Sequence, residues 1–199
     1  MAQYNRKDPY YQAAKKQGFV ARSIFKLEEI DKNFGLIKGS AKVLDLGCSP
    51  GSWLQYVERK VGPGGGKVIG IDLSPLALSF GPHVQFIQGD IFEVEIPAGS
   101  FDVVLSDMAP KTCGIKSVDQ DRSLGLCEKA LEIAARVLKP GGNFCVKVLE
   151  GGGMPDYLKT CRSMFKEVKI RRPQSTRSGS METYVLGLGY HKASPTAAA

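Results

Sequence analysis

Short apolar runs rich in β-branched residues alternate along this chain with segments of helical pattern, and this alternation constrains the fold more than any other feature. Five runs predict strands: KVLDLG (42–47), KVIGIDL (67–73), VQFIQGD (84–90), FDVVLSDM (101–108) and NFCVKVLE (143–150). Helices are predicted at 20–34, 51–60, 75–80 and 120–138. Strands that alternate with helices form a mostly parallel sheet covered on both faces, so an α/β fold is expected.

The end of the chain departs from this alternation. The segments FKEVKIRR (165–172) and ETYVLGLGY (182–190) both favour strands, and only the polar loop PQSTRSGSM separates them. Because no helix connects them, we expect an antiparallel hairpin at one edge of the sheet. The sheet would then contain seven strands.

Length and composition indicate one globular domain. A chain of 199 residues with 43% hydrophobic content suits a single core, predicted to span 1–192. Within it, we expect an N-terminal basic helix at 8–34 and a ligand-binding core at 41–192, followed by a disordered tail at 193–199. No apolar run approaches the ~20 residues of a membrane span, and the N-terminus has no apolar centre of a secretory signal. We therefore expect a cytoplasmic protein that does not enter a membrane.

The five cysteines are widely scattered and form no CxxC pair. Only two histidines, His83 and His191, are available as further ligands. Neither a metal site nor a disulfide framework is predicted, and most of the cysteines are expected to be buried and reduced.

Positive charge is unevenly distributed. The formal net charge is +7. Between 158 and 177, Glu167 is the single acid beside seven basic residues: Lys159, Arg162, Lys166, Lys169, Arg171, Arg172 and Arg177. The N-terminal segment adds cations interleaved with Tyr10, Tyr11 and Phe25. Such clusters suit a polyanion such as RNA and suit a solvated surface without a partner equally well, so charge alone leaves both open.

The stretch LDLGCSPGSW (44–53) is a predicted strand that runs into a turn of small residues. It lacks the pattern G-x-G-x-x-G, because only Gly47 and Gly51 are free of side chains and Pro50 has no N–H for a phosphate. It also lacks the G-K-[ST] ending of a P-loop. These absences disfavour an NAD-dependent oxidoreductase. They favour a nucleoside without phosphates bound at Gly47 and Gly51, with Asp45 placed to face a cation.

Acidic residues follow the strands of the predicted sheet. Asp72 closes the second strand, where a carboxylate accepts hydrogen bonds from ribose hydroxyls. Asp90 closes the third, where it can accept a bond from an adenine amino group. Taken singly, each acid is explained equally well by an ordinary structural role, that of capping the end of a strand. Together they predict S-adenosylmethionine (SAM), which combines adenosine with a cationic sulfonium and carries no phosphate.

Six stretches, in order and spacing, resemble the FtsJ/RrmJ family of RNA 2′-O-ribose methyltransferases over roughly 8–191. They are ARSIFKLEEID, VLDLGCSPGSW, QGDI, VLSDMAPKTCG, VKVLEG and STRSGSMETYVLG. The resemblance implies a Rossmann-like SAM-dependent methyltransferase fold and a catalytic tetrad, which falls on Lys26, Asp107, Lys147 and Glu182. It also implies cofactor contacts, which fall on Gly51, Trp53, Asp72, Asp90 and Asp107.

The chemistry of the tetrad agrees with its residue types. Lys147 lies in an apolar strand, where a lysine needs a partner, and it is the predicted base for a ribose hydroxyl. Asp107 would orient Lys147, Lys26 would supply a second cation, and Glu182 would hold Lys26 or the ribose. Most of the rate enhancement would come from positioning the hydroxyl in line with the methyl group.

The chain departs from the family pattern at two positions. Ser52 stands where bacterial members often have a second glycine, and Met181 stands where they often have arginine ahead of the glutamate. Neither change removes a tetrad member. Met181 leaves one fewer cation beside the predicted RNA path.

A short chain without large extensions resembles the bacterial branch of the family. That branch implies methylation of a uridine in the A-loop of 23S rRNA, within the assembled large ribosomal subunit. The alternatives are the branch that acts on the tRNA anticodon loop and a non-catalytic RNA-binding assembly factor. A monomer is expected.

Overall fold

The protein is described from a computed structural model, which covers residues 8–96 and 101–191. Its strands are β1 (Lys42–Leu46), β2 (Lys67–Asp72), β3 (Val84–Gln88), β4 (Phe101–Ser106), β5 (Leu138–Leu149), β6 (Phe165–Arg171) and β7 (Glu182–Tyr190). Its helices are α1 (Pro9–Lys16), α2 (Ile24–Phe34), α3 (Ser52–Val61), α4 (Lys116–Val137) and α5 (Met154–Met164), with a short 3₁₀ turn at Gly62–Gly64.

The described strands form one sheet in the order β3-β2-β1-β4-β5-β7-β6. Neighbours from β3 to β5 are parallel, and β7 runs antiparallel to both β5 and β6. Helices α2 and α3 contribute to the apolar core on one face, and α4 and α5 contribute to the core on the other. The predicted α/β fold, with a seven-stranded, mostly parallel sheet and a C-terminal antiparallel hairpin, is confirmed.

The N-terminal region differs from the single helix predicted at 8–34. It contains two helices, α1 and α2, and the second begins at Ile24 rather than at residue 20. The break lies at Gly18, whose N–H donates to the Lys15 carbonyl, while the N–H of Phe19 donates to the Ala14 carbonyl. These bonds end the first helix and turn the chain.

The prediction of a helix at 75–80 is wrong. The N–H of Ala77 donates to the Pro50 carbonyl at 3.1 Å instead of to a carbonyl of its own segment. The hydroxyl of Ser49 donates to the Pro75 carbonyl at 3.0 Å. The segment therefore packs against the turn after β1 as irregular chain.

The structure also contains a helix that the pattern did not predict, α5. The three glycines at 151–153 resemble a loop and hide the helix start. Its buried stripe of Tyr157, Leu158 and Cys161 has helical spacing, and Pro155 lies in its first turn, where proline is tolerated. The other boundaries shift by a few residues: α4 begins at Lys116 and β5 begins at Leu138.

Two further points concern the ends of the chain and membranes. The predicted tail at 193–199 lies outside the described residues. Within 8–96 and 101–191, no helix combines the length and apolar character that crossing a bilayer requires.

Candidate active site

The fold brings the four predicted tetrad residues to one edge of the sheet. Asp107 directly follows β4, Lys147 lies in β5, and Glu182 begins β7, so three neighbouring strands supply three of the four. Lys26 projects from α2. The ammonium of Lys147 lies 3.0 Å from Asp107 Oδ1, and it also donates to the backbone carbonyl of Asp107. Lys26 forms an ion pair with Glu182. All four side chains are between 11% and 17% exposed, so they are largely shielded from water.

Tyr184 joins the two ion pairs into one network. Its hydroxyl lies 2.8 Å from Asp107 Oδ1 and 3.1 Å from Glu182 Oε1. The residue is fully buried, and burial, together with the nearby carboxylates of Asp107 and Glu182, raises the pKa of its phenol. The hydroxyl therefore keeps its proton. Sequence reasoning missed Tyr184, although its position two residues after Glu182 in a strand places both side chains on one face.

A buried acid fixes the helix that carries Lys26. Asp31, which is 1% exposed, accepts hydrogen bonds from the Ile37 N–H at 2.9 Å and the Tyr56 hydroxyl at 2.7 Å. It also forms an ion pair with Lys60 of α3. These contacts tie α2 to α3, which in turn packs on the sheet, so Asp31 fixes the position of the helix from which Lys26 projects.

A cleft of about 370 Å³ opens beside the tetrad at the carboxyl ends of the parallel strands. Asp72, Asp90 and Asp107 all line it. Asp72 is oriented by the N–H groups of Ser49, at 2.9 Å, and Ser74, at 2.7 Å. Asp90 accepts from the Phe92 N–H at 3.0 Å through Oδ1. Both carboxylates thus have fixed directions and retain lone pairs for a ligand.

The two turn glycines have different surroundings. Gly47 lines the cleft with φ of +76°, and a Cβ there would lie 2.4 Å from the Met108 side chain. A side chain at this position would therefore both strain the backbone and intrude on the cleft floor. Gly51 is not among the cleft residues, and a Cβ there would meet the Phe80 ring at 3.0 Å.

Trp53 lies in the core behind the site rather than in the cleft. It is 2% exposed, and its indole N–H donates to the Ser23 carbonyl at 2.9 Å. Its ring centroid is 6.0 Å from that of Tyr184. This packing supports the tetrad from beneath, and cofactor contact by Gly51 or Trp53 stays a prediction.

Asp45 is a buried carboxyl without a partner. It is 0% exposed, and neither oxygen has a hydrogen-bond partner among the described residues. Burial raises its pKa well above the usual range, and the nearby Asp107 and Asp72 raise it further. Three acids thus converge here without a protein cation to balance Asp45.

Leu73 and Phe92 are exposed apolar residues at the mouth of the cleft. They are 67% and 59% exposed, and both line it. Each follows an acidic residue at a strand end, since Leu73 comes after Asp72 and Phe92 comes two residues after Asp90. Sequence reasoning missed both, because an isolated apolar residue in a connection carries no signal until its neighbours are known.

The connection between β4 and α4 is fastened to α4. Asp119, which is 6% exposed, accepts from the N–H groups of Cys113 at 2.8 Å and Gly114 at 3.1 Å. The same connection supplies Met108 and Ala109 to the cleft wall. Its path is therefore set by the helix that follows it.

Within the described part of the chain, no group of three or more His, Cys, Asp or Glu side chains is arranged to hold a metal ion. The site therefore consists of a network of four ion-paired residues and a tyrosine beside an acidic, partly apolar cleft. Its carboxylate acceptors suit a cationic nucleoside better than a phosphate, because the cleft residues include three acids and no lysine or arginine.

Comparisons with known proteins agree with this geometry. A "Ribosomal RNA large subunit methyltransferase E" of Desulfatibacillum aliphaticivorans is 50% identical over 187 residues, which cover 91% of this chain and 89% of that protein. A solved chain assigned as a ribosomal RNA methyltransferase of Plasmodium falciparum is 26% identical with a TM-score of 0.76 and covers 86% of this chain and 98% of its own.

A more distant structure shares the fold alone. It is a 1,6-didemethyltoxoflavin-N1-methyltransferase of Burkholderia thailandensis with bound S-adenosylhomocysteine, with a TM-score of 0.61 at 18% identity, covering 91% of this chain and 84% of its own. The predicted Rossmann-like methyltransferase fold is therefore confirmed. The model of the FtsJ-like methyltransferase family matches residues 19–190, and the chain belongs to that family.

Proposed function

We propose that this protein transfers the methyl group of SAM to a ribose 2′-hydroxyl in RNA, and that its target is a uridine in the A-loop of 23S rRNA within the large ribosomal subunit. The observation that carries the proposal is the geometry of Lys147, whose amine is held twice by Asp107 beside an acidic cleft. The relative from Desulfatibacillum aliphaticivorans, named as an enzyme of large-subunit ribosomal RNA, supports the choice of substrate.

The cleft residues fit SAM. The carboxylates of Asp72 and Asp90 would hold the ribose hydroxyls and the adenine amino group, and Leu73 and Phe92 would cover the faces of the base. The unpartnered Asp45 fits a ligand that brings positive charge to this end of the sheet. When bound, SAM supplies an activated methyl group on a sulfonium, which departs as a neutral thioether.

In the proposed reaction the ammonium of Lys147 first releases one proton to water, and the neutral amine then accepts the proton of the 2′-hydroxyl. A neutral amine has two N–H donors and one lone pair. Both donors are engaged by Asp107, one at the carboxylate and one at the backbone carbonyl, so the lone pair is left for the hydroxyl. Because Asp107 fixes the amine in this orientation, little reorganisation is needed when the proton moves to Nζ.

Lys26 stabilises negative charge that develops on the ribose oxygen. Its ion pair with Glu182 holds the ammonium beside the network at low solvent exposure, where a fixed cation is worth more than in water. Tyr184 has one hydroxyl proton for two carboxylates, Asp107 and Glu182. It therefore couples the two ion pairs and keeps both carboxylates aimed at their lysines.

Further proposals follow from the family and the sequence. Residues 1–192 form one domain that acts as a monomer in the cytoplasm, and RNA is its macromolecular partner. Gly51 and Trp53 act on the cofactor by direct contact or by positioning a neighbouring side chain. The neighbour of Gly51 is Phe80, and that of Trp53 is Tyr184.

The experiment that tests the proposal is tritiated methyl transfer from SAM to large ribosomal subunits isolated from a strain that lacks the enzyme. Bulk tRNA is assayed in parallel. Nuclease digestion then locates the label on a base or a ribose. We expect ribose label in 23S rRNA with the wild-type protein, at an initial rate at least about 100-fold above that of Lys147→Ala.

The other outcomes each reject a specific part of the proposal. Label in tRNA alone would reject the ribosomal substrate. Label on a base would reject the role of Lys147 as a base for ribose. Tight RNA binding without transfer to any RNA would indicate the non-catalytic assembly factor.

A further inference from the structure

The last strand of the sheet carries a continuous set of cations. β6 lies at the end of the strand order, and among the described residues no strand pairs with its outer side. Helix α5 leads directly into β6 and contacts it. We call the cations of these two elements, together with the arginine that directly follows β6, the basic edge: Lys159, Arg162, Lys166, Lys169, Arg171 and Arg172.

Most charges of the basic edge have no carboxylate partner within the described residues. Lys169 forms an ion pair with Glu167 at 2.5 Å, and the guanidinium of Arg171 lies 5.0 Å from the centre of the Phe34 ring. No ion pair involves Lys159, Arg162 or Lys166 in the described part, and all three are exposed. The edge is therefore a field of uncompensated positive charge.

The register of the sheet connects this edge to the tetrad. Lys147 pairs with Tyr184 across β5 and β7, and Tyr184 pairs with Arg171 across β7 and β6. Arg171 is thus about 10 Å from Lys147 along the hydrogen-bonding direction, because neighbouring strands are about 4.8 Å apart. Lys166 lies five residues back along β6, roughly 17 Å towards the other end of the sheet.

We propose that the basic edge binds the phosphate backbone of RNA that flanks the methylated nucleotide. The proposal rests on the proposed RNA substrate and specifies which cations hold it. An RNA segment that leaves the reacting ribose meets Arg171 first and then follows β6 towards Lys166, Arg162 and Lys159. The far end of the edge lies about 20 Å from Lys147, so it selects for a large folded RNA over a short loop.

Protection of an exposed strand is the competing explanation. Lysines on edge strands prevent pairing with other chains. This accounts for Lys166 and Lys169, but not for Lys159 and Arg162. Those two lie three residues apart, on one face of α5, where there is no strand edge to protect.

The test is a triple variant, Lys159→Gln, Arg162→Gln and Lys166→Gln, compared with a charge-matched control, Lys38→Gln, Lys67→Gln and Arg136→Gln. The control residues are also exposed and lie away from the basic edge. Binding is measured by fluorescence anisotropy, at several salt concentrations, to the minimal target hairpin, to a naked 23S rRNA fragment that contains its flanking helices, and to intact large ribosomal subunits. Methyl transfer is measured at saturating substrate.

We expect the triple variant to bind the long fragment about 10- to 30-fold more weakly at low salt, with the slope of log K against log salt reduced by about two to three. Binding to the minimal hairpin and the rate at saturating substrate should stay within twofold of wild type. The control variant should match wild type on both RNAs.

Three results would overturn the inference. Unchanged affinity together with self-association of the triple variant would show that the cations protect the strand. Weaker binding to intact subunits but not to naked RNA would indicate an acidic protein partner. An equal loss of RNA affinity in the control variant would show that the affinity depends on net charge alone. If wild type binds the long fragment through the edge yet transfers no methyl group, the proposed function fails, while the assignment of the basic edge to RNA binding stands.

Discussion

The tetrad and the cleft beside it hold charge in opposite ways. In the tetrad each carboxylate faces a lysine, and Tyr184 joins the two pairs. In the cleft, Asp72 and Asp90 receive only backbone N–H groups, and Asp45, buried behind the cleft, receives nothing from the described residues. The tetrad is complete without a ligand, and it suits a neutral hydroxyl group and the transfer of its proton. Under the proposed function, a cationic ligand completes the acidic side. Substitutions that affect the tetrad but not the cleft, or the reverse, therefore test whether catalysis and cofactor binding are divided between the two regions.

Lys147→Ala should give the largest effect and should affect the tetrad side alone. Without a general base, the single-turnover rate of methyl transfer should fall about 10²- to 10⁴-fold. The dissociation constant for SAM, measured by calorimetry, should stay within about threefold. Lys139→Ala is the matched control, because Lys139 lies on the same strand and also pairs with an aspartate, Asp102, at 2.9 Å. A similar rate for both variants would contradict the assignment.

Asp72→Ala should give the converse result. Loss of charge-assisted hydrogen bonds to the ligand should weaken SAM binding about 10- to 100-fold. The rate at saturating SAM should change only a few-fold, since no tetrad contact involves Asp72. Asp102→Ala serves as the control, because Asp102 likewise accepts a backbone N–H, that of Lys42 at 2.8 Å, but lies at the other end of the sheet. A large loss of rate with unchanged SAM affinity would invalidate the division.

Asp45→Asn should stabilise the free protein at neutral and alkaline pH. A raised folded-state pKa means that stability from this carboxyl is complete below its ordinary pKa of about 3.9 and is lost as the pH rises towards the folded value. The variant has no charge to lose, so its melting temperature should exceed that of wild type at pH 8, by an amount equivalent to about 1–3 kcal/mol. The difference should shrink towards pH 4.5.

The fully partnered Asp31 provides the contrast. Asp31→Asn should destabilise the protein by about 1–3 kcal/mol, because it removes the charge that pairs with Lys60 and replaces one buried acceptor oxygen with an N–H donor. Thermal unfolding of both variants, at pH 4.5 and pH 8, measures the expected gain of stability in Asp45→Asn and the expected loss in Asp31→Asn. Destabilisation by Asp45→Asn at pH 8 would mean that Asp45 has a partner within the folded chain.

Tyr184→Phe should give the smallest effect. The phenylalanine keeps the ring against Trp53 and removes only the hydroxyl that bridges Asp107 and Glu182. Since both ion pairs remain, the turnover rate should fall about 3- to 10-fold, the value of one hydrogen bond. Leu186→Ile, on the same buried strand, controls for packing. A loss as large as that of Lys147→Ala would make the tyrosine hydroxyl a participant in the proton transfer.

Local pattern was sufficient for much of this molecule. The alternation of strands and helices predicted the sheet, and the strand-end acids Asp72, Asp90 and Asp107 meet at one cleft because parallel strands end at the same edge. The failures lie where non-local bonds override local preference. The segment 75–80 bonds to the turn after β1, and α5 is hidden behind three glycines.

The sequence by itself determined the fold class and the position of acidic residues at the ends of the parallel strands, because side-chain periodicity and turn chemistry are local properties. The tetrad residues follow from the resemblance to the family rather than from local pattern. Only the tertiary structure decided that Tyr184 joins the two ion pairs, that Asp45 is unpartnered while Asp31 is fully bonded, and that the basic edge begins level with Lys147. Each of these depends on strand order and on burial. Those are set by contacts between residues far apart in the chain, which no local pattern records.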